Sequence, residues 1–314
     1  MNKKEIRIVY LGTPYISSIV LSKLLENNYN IVGVISQQDK PIGRKMIIEE
    51  TPVKKVALAH NLPVFQPNKL NFEYDFLKNL KPDIILTMAY GQIISEDVLR
   101  IAKILPLNLH GSLLPKYRGA SPIQASLFNG EKESGCTLME MINKMDAGRM
   151  FYKSKFEITE DDNYDSLILK TAEAAFKAFD DGIQDVIDQK NLGEIQNEDE
   201  ATFTKKIKPE DQIINFDNDA KAIVHQIQAL SSVPGAYFVY KNTKFKVLKA
   251  KYSASEAEKS GKILEFNKNS FLISAKNGAV SILEIQKEGK KVMPIKDFYN
   301  GNVNNFKVND TIND

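Results

Sequence analysis

The feature that most restricts the fold is a set of short, near-continuous apolar runs that do not alternate in polarity. They are residues 6–11 (IRIVYL), 31–36 (IVGVIS), 84–88 (IILTM) and 104–109 (ILPLNL). A strand apolar on successive positions hides both faces, which is the pattern of a mostly parallel sheet covered by helices. The first run closes on Gly12-Thr13-Pro14, and helical periodicity follows through Ile16, Ile19, Val20, Leu24 and Leu25 before the second run begins. That order predicts a βαβ opening and an α/β, Rossmann-like open sheet in the N-terminal part. The intervening turn lacks the three glycines of the dinucleotide fingerprint, so an NAD-type cofactor loses its main support while the fold stands.

The fourth run ends in polar residues. Asn108 and His110 lie two positions apart in ILPLNLHGSLLPKYRGASP (104–122), so on an extended strand they share a face. Open α/β sheets build their sites at the carboxyl ends of such strands. His110 is one of three histidines, with His60 and His225. A lone histidine in a loop is ordinarily hydrogen-bonded or solvated rather than catalytic. The Ser-Leu-Leu-Pro and Tyr-Arg-Gly-Ala that follow have little purpose as a plain turn. Asp146, in an Asp-Ala-Gly sequence, would by itself read as a turn residue.

Residues 108–124 (NLHGSLLPKYRGASPIQ) and 135–150 (GCTLMEMINKMDAGRM) resemble two blocks of the folate-dependent formyltransferases. The resemblance implies a catalytic trio of Asn108, His110 and Asp146, and 10-formyltetrahydrofolate as co-substrate with no metal. Formyl transfer to an amine passes through a tetrahedral oxyanion. Asn108 and a protonated His110 would donate to that oxygen, and Asp146 would orient His110 and favour its charged form. No covalent nucleophile is needed, and Cys136, the sole cysteine, is expected to be a small buried side chain. By the same resemblance Met88, Tyr90, Gly91 and Ile93 border the pterin, and Ser112, Leu113, Leu114 and Pro115 take it through backbone groups and apolar contact. Tyr90 can equally be ordinary packing.

The acceptor implied is the α-amino group of methionyl initiator tRNA. The loop 37–54 is long for a compact domain, hence functional or mobile. Its Arg44 and Lys40, with Lys45 more doubtful, would face the acceptor end. In place of the lysine-rich stretch usual to the family it carries Met46, Ile47, Ile48, Glu49 and Glu50, which weakens any electrostatic contact.

Length of 314 residues suggests about two domains. The expected division is a catalytic domain over 1–195, a polar linker over 196–211, and a C-terminal domain over 212–314. Several short alternating strands after residue 236 predict a small barrel, OB-like by resemblance. Residues 206–314 hold 17 Lys/Arg against 12 Asp/Glu, or +5, whereas 1–205 hold 25 against 28, or −3. A basic tail suits a polyanion, and is also common on a solvated surface. Lys206, Lys208, Lys290 and Lys291 are the candidates for tRNA backbone contact. One cysteine suits a reducing compartment, and no segment approaches the roughly 20 apolar residues of a membrane span. A cytoplasmic monomer is the expectation. Two rivals stand beside this reading: a formyltransferase acting on an amino sugar nucleotide or glycinamide ribonucleotide, and a tRNA-binding module with an inactive catalytic domain.

Overall fold

The computed structural model describes residues 2–42, 46–255, 259–303 and 305–312. It divides into two compact units, one of Met1–Pro122, Glu133–Glu157 and Ile168–Thr204, the other of Ile123–Lys132, Ile158–Leu167 and Lys205–Asp314.

The first unit opens as β1 (Ile8–Gly12), α1 (Tyr15–Glu26) and β2 (Ile31–Ile35). A ribbon of β3 (Lys40–Ile42) and β4 (Ile47–Glu49) follows, then α2 (Pro52–Ala59), β5 (Val64–Phe65), α3 (Asp75–Leu80), β6 (Ile84–Met88), α4 (Glu96–Leu99) and β7 (Leu105–His110). After these come β8 (Arg118–Gly119), β9 (Glu133–Glu140), β10 (Met150–Glu157), the greater part of α6 (Tyr164–Ile187) and β11 (Phe203–Thr204), while α5 (Pro122–Phe128) from Ile123 onward and the start of α6 belong to the second unit. Seven strands form one sheet in the order β10-β9-β7-β6-β1-β2-β5. The five from β7 to β5 run parallel, and β9 and β10 add an antiparallel edge.

Burial explains the apolar runs, because every residue of β1 and β6 is buried. Helix α1 seats Ile16, Val20, Leu21 and Leu24, and α6 seats Ala172, Ala175, Phe179 and Ile183. Each buried Ile, Leu, Val or Phe among them contributes about 1.5–3 kcal/mol relative to exposure, and each Ala less. Helix α2 starts where Thr51 caps it, its hydroxyl accepting from the Lys54 N–H at 3.2 Å, with Pro52 at the first turn. The chain runs outward from β1 to β2 and β5, then returns to place β6 on the other side of β1. The reversal between β1 and β6 is the point where ligands of open sheets bind, outside the strands' carboxyl ends.

Two expectations change here. The loop 37–54 is not without regular structure, since Lys40↔Glu49 and Pro41↔Ile48 pair across β3 and β4. The β-branched Ile-Ile pair supplies the strand, and its side chains remain exposed. The stretch 196–211 is not a free tether. Residues up to Thr204 belong to the first unit, Gln196 is 4% exposed, and β11 pairs with β8. Most of its side chains are exposed, but Gln196 and Glu198 also reach the buried Arg118.

In the second unit Asp219 caps α7 (Ala220–Leu230), and the chain continues as β12 (Ala236–Tyr240), β13 (Thr243–Ser253), β14 (Ile263–Phe266), β15 (Phe271–Ala275), β16 (Gly278–Lys287), β17 (Met293–Pro294) and α8 (Ile295–Asn300). The strands form an antiparallel sheet in the order β12-β13-β16-β15-β14, with β17 beside β16. This is the small strand-rich domain expected. Its core is aromatic: Phe238, Phe245, Phe266, Phe271, Phe298 and Phe306 lie edge-on, tilted or stacked at centroid separations of 4.8–6.5 Å.

Candidate active site

Strand β7 alternates as its sequence requires, and its last residues set the site. Thr87↔Asn108 pair across β6 and β7, and Asn108↔Met139 and His110↔Thr137 across β7 and β9. The Asn108 amide is half-buried and makes no side-chain hydrogen bond among the described residues. Beside it Thr87 Oγ1 is buried without a partner among the described residues. A buried polar group left unsatisfied at a strand end is costly, and the Asn108 amide beside it is open to a ligand or to water.

His110 is 5% exposed. Its Nε2 lies 2.9 Å from the carbonyl oxygen of Tyr117. A carbonyl only accepts, so Nε2 carries the hydrogen. On the other side Nδ1 stands 3.6 Å from Asp146 Oδ1, close for an ion pair but too long for a direct hydrogen bond. His110 can therefore present Nε2–H to an oxyanion only by releasing Tyr117. Asn108 needs no such exchange.

Asp146 reaches His110 from the loop joining β9 to β10. Its backbone is left-handed, φ 48°, a conformation aspartate tolerates better than most residues. The second carboxylate oxygen, Oδ2, accepts the Gly119 N–H at 2.8 Å. Gly148, two residues on, is obligatory for space, because a Cβ there would sit 2.0 Å from the Glu140 carbonyl oxygen. Thus the Asp-Ala-Gly sequence combines a left-handed turn with a close backbone approach. Ala89, Tyr117 and Gly119 also have positive φ, so departures from regular backbone gather at these strand ends.

Behind the turn lies a group that sequence reasoning left out. Arg118 is fully buried, and its Nε donates to Gln196 Oε1 at 2.9 Å. The Gln196 amide nitrogen in turn donates to the carbonyls of Asp146 and Gly148, both at 2.8 Å. The Arg118 guanidinium pairs with both oxygens of Glu198, at 3.0 and 3.2 Å, and Lys144 joins them at 2.7 Å. Hydrogen bonds from Arg118, then Lys144, hold the Glu198 carboxyl down to about 2. A charge as thoroughly buried as Arg118 requires such a partner. The only signal in the sequence was the polar run 196–200 itself.

The expected folate residues divide in two. Met88, Tyr90, Ser112 and Leu114 are each at most 2% exposed and do not present side chains to a ligand. Tyr90 packs with Val9, Leu11, Ile35 and Ile85, and burial pushes its hydroxyl up to about 12. Leu114 packs with Met139 and Met150. The backbone groups of this segment are also engaged: Thr137 Oγ1 donates to the Ser112 carbonyl at 2.7 Å and accepts the Leu114 N–H at 3.1 Å. Leu113 and Pro115 are half-buried, and Ala89, Gly91 and Ile93 are exposed. The 88–91 segment is held in place by Ser17 Oγ, which donates to the Met88 carbonyl, and by Thr13 Oγ1, which donates to that of Tyr90 at 2.8 Å.

A family model described as formyl transferase matches residues 6–183, and one described as formyl transferase, C-terminal domain, matches 206–303. The methionyl-tRNA formyltransferase of Lactobacillus johnsonii is 41% identical over 310 residues, 98% of this chain and 99% of that one. The chain belongs to the formyl transferase family. It is an enzyme of one-carbon transfer. The methionyl-tRNA formyltransferase of Mycoplasma mycoides subsp. mycoides is also 41% identical, over 313 residues, covering 98% and 99% of the two chains. Among solved structures, an N-formyltransferase from Helicobacter canadensis in complex with folinic acid and dTDP-3-aminofucose superposes with a TM-score of 0.67 at 23% identity, covering 90% of this chain and 99% of that one. A methionyl-tRNA formyltransferase from Clostridium thermocellum gives 0.57 at 18%, covering 80% and 95%. These two likenesses concern the fold.

The remaining candidates on this formyl transferase are its cations. Arg44 and Lys45 lie outside the described residues, while Lys40 is exposed on β3. Lys206, Lys290 and Lys291 are exposed, and Lys208 is exposed but pairs with Glu210 at 3.5 Å. The sequence reading passed over a denser set. On β13, Phe245, Val247 and Ala250 face the core, leaving Lys244, Lys246, Lys249 and Lys251 on the opposite face. Tyr237 lies under the Lys244 ammonium at 3.4 Å. The signal was two alternating stretches, KFK and KAK, out of phase across Val247-Leu248, where an irregularity in the pairing with β16 resets the register. Cys136 is fully buried, and burial pushes its thiol up, which leaves it inert. Among the described residues no helix is long and apolar enough to cross a membrane.

Proposed function

We propose that this formyl transferase moves the formyl group of 10-formyltetrahydrofolate onto the α-amino group of methionyl initiator tRNA, giving N-formylmethionyl-tRNA for translation initiation in the cytoplasm. The observation that carries the mechanism is the end of β7, where an Asn108 amide without a side-chain partner among the described residues shares a strand face with His110, and His110 stands 3.6 Å from Asp146. The choice of acceptor draws on full-length relatives named for it and on the basic β13 face of the second unit.

The amine attacks the formyl carbon, a C–N bond forms, and the carbonyl oxygen becomes an oxyanion. Asn108 Nδ2 donates to that oxygen from the outset, and His110 Nε2–H becomes a second donor on leaving the Tyr117 carbonyl. Asp146 holds the imidazole from the Nδ1 side while Gly119 N–H anchors its other oxygen. Collapse of the intermediate breaks the bond to N10 of the folate, and the amine's lost proton ends on N10. The residues fit a reduced folate at the neighbouring strand end: Ala89, Gly91 and Ile93 are exposed there, beside the buried, unsatisfied Thr87 hydroxyl. Leu113 and Pro115 would add apolar contact. Lys40 on the first ribbon, Arg44, which lies outside the described residues, and Lys206, Lys208, Lys290 and Lys291 with the β13 lysines would meet tRNA phosphates.

The deciding experiment incubates the purified protein with 10-formyltetrahydrofolate and, in parallel, charged initiator tRNA or a dTDP-amino sugar. Formylated methionyl-tRNA without formylated sugar is the expected result. Product on the sugar alone assigns the other acceptor, and tRNA binding without product makes the chain a binding module.

A further inference from the structure

We propose that Gln196 is a positioning residue for formyl transfer: from a segment with the look of a tether, it holds the Asp146 turn in register with His110. The proposal rests on the mechanism given above, in which Asp146 orients the imidazole.

Three observations carry it. First, Gln196 is 4% exposed, and its amide is saturated on both ends. Its oxygen accepts from Arg118 Nε, and its nitrogen donates to the carbonyls of Asp146 and Gly148, which bracket the left-handed turn. No other side-chain type can accept from a guanidinium on one end and donate twice from the other at that length, asparagine being a methylene shorter. Second, the same two segments are tied at further points. Thr202 Oγ1 accepts the Tyr117 N–H at 2.8 Å, the Thr202 carbonyl accepts the Arg118 N–H at 2.8 Å, and Thr204 Oγ1 accepts the Ser121 N–H at 3.1 Å. Tyr117 is the residue whose carbonyl holds His110 Nε2, and Gly119 the one whose N–H holds Asp146 Oδ2. Both sides of the imidazole are thus set by groups fastened to residues 196–204. Third, Gly119 leaves no slack in this seam, since a Cβ on it would lie 2.5 Å from the Thr204 carbonyl oxygen.

Displacing Asp146 by a fraction of an ångström would slow chemistry without loosening substrate. A change of about 1 Å at a reacting group can cost on the order of 10²-fold in rate. Gln196 touches neither substrate, and its loss should therefore appear in kcat rather than KM.

The test is a double-mutant cycle on the full-length protein with 10-formyltetrahydrofolate and charged initiator tRNA. Gln196→Glu keeps an acceptor for Arg118 and removes both donors to the turn. The expected kcat falls on the order of 10²-fold, with KM for the folate changed by less than about threefold. Asp146→Asn should also lower kcat, and the double variant should be no slower than Asp146→Asn alone, because Gln196 acts through Asp146. A kcat for Gln196→Glu within about threefold of wild type, or losses that multiply in the double variant, overturns the proposal. Should Asp146→Asn turn over like wild type, the mechanism itself fails, a result distinct from failure at Gln196, and the proposal falls with it. If Gln196→Glu does not fold, Gln196→Asn is carried through the same cycle: a fall in kcat absent from the Asp146→Asn background supports the proposal, and multiplying losses overturn it.

Discussion

Behind the carboxyl end of β7 the groups around Asp146 engage one another in a connected set, whereas on β13 four lysines share one face and are held at most singly, Lys246 by the Pro234 carbonyl at 2.7 Å. Arg118, Gln196, Glu198, Asp146 and Gly119 form one connected set with contacts of 2.8–3.2 Å. Lys249 makes no ion pair among the described residues, Lys251 reaches Asp161 at 3.3 Å, and Lys244 lies on an aromatic ring. The two regions answer different demands. Acyl-type chemistry needs donors fixed where charge develops, and any slack is lost rate. Binding a phosphate backbone needs only positive charge in the right region, and mobile ammonium groups serve that well. Single substitutions should therefore be severe in the first region and graded in the second.

The largest effect should come from Asn108→Ala. Turnover is expected to fall about 10²–10³-fold, the loss typical of one preorganised donor, as measured by single-turnover formylation. A fall of less than about threefold would remove Asn108 from the mechanism. Next, Gly148→Ala forces Cβ to within 2.0 Å of the Glu140 carbonyl, and the loop must shift. Such overpacking costs about 1–3 kcal/mol, and both a lowered denaturation midpoint and a lowered kcat are expected. Unchanged kcat would show that the Asp146 turn can move freely, and would erase the contrast between the regions.

A graded effect is expected on β13. Replacing Lys244 and Lys249 by Gln should weaken tRNA binding at every sequence and reduce the salt slope by about 1 per lysine, with kcat at saturating tRNA unchanged. Titration of binding against salt decides it, and a slope equal to wild type removes this face from the interface. The smallest effect belongs to Glu198→Gln. The Glu198 carboxyl is held well below its ordinary 4.5, to about 2, so its pairing with Arg118 contributes stability that is complete above about pH 4.5. That contribution is lost as pH falls toward 2. The Tm difference between wild type and Glu198→Gln should be constant near neutrality and shrink through this acid window. A difference that grows on acidification would contradict the assignment.

Much of the architecture was legible in the chain. Near-continuous apolar runs at 6–11, 84–88 and 104–109 announced buried parallel strands, and β1, β6 and β7 lie there. The pairing of His110 with Asp146 followed from motif resemblance, and spacing alone would not have suggested it, because 36 residues and two strands separate them. What escaped notice has a common cause. Most of residues 196–204 are solvated as they look; what pattern alone misses is that Gln196, Glu198, Thr202 and Thr204 also hold Arg118, its neighbours and the Asp146 turn, which are distant in sequence. Likewise Met88, Tyr90, Ser112 and Leu114 were expected at the ligand by resemblance, and their side chains are buried among neighbours that are remote in sequence. The β13 lysines were overlooked for the converse reason, two alternating stretches inside a domain read only as a barrel.

Glu198 has a consequence of its own. Its side chain is half open to water, at 55% exposure, yet it neutralises a guanidinium that is wholly enclosed. The alignment of the reaction centre is therefore reachable from the outside of the protein. Surface chemistry at one carboxylate, or its replacement during evolution, can retune a buried constellation with no change to any group that meets the substrates.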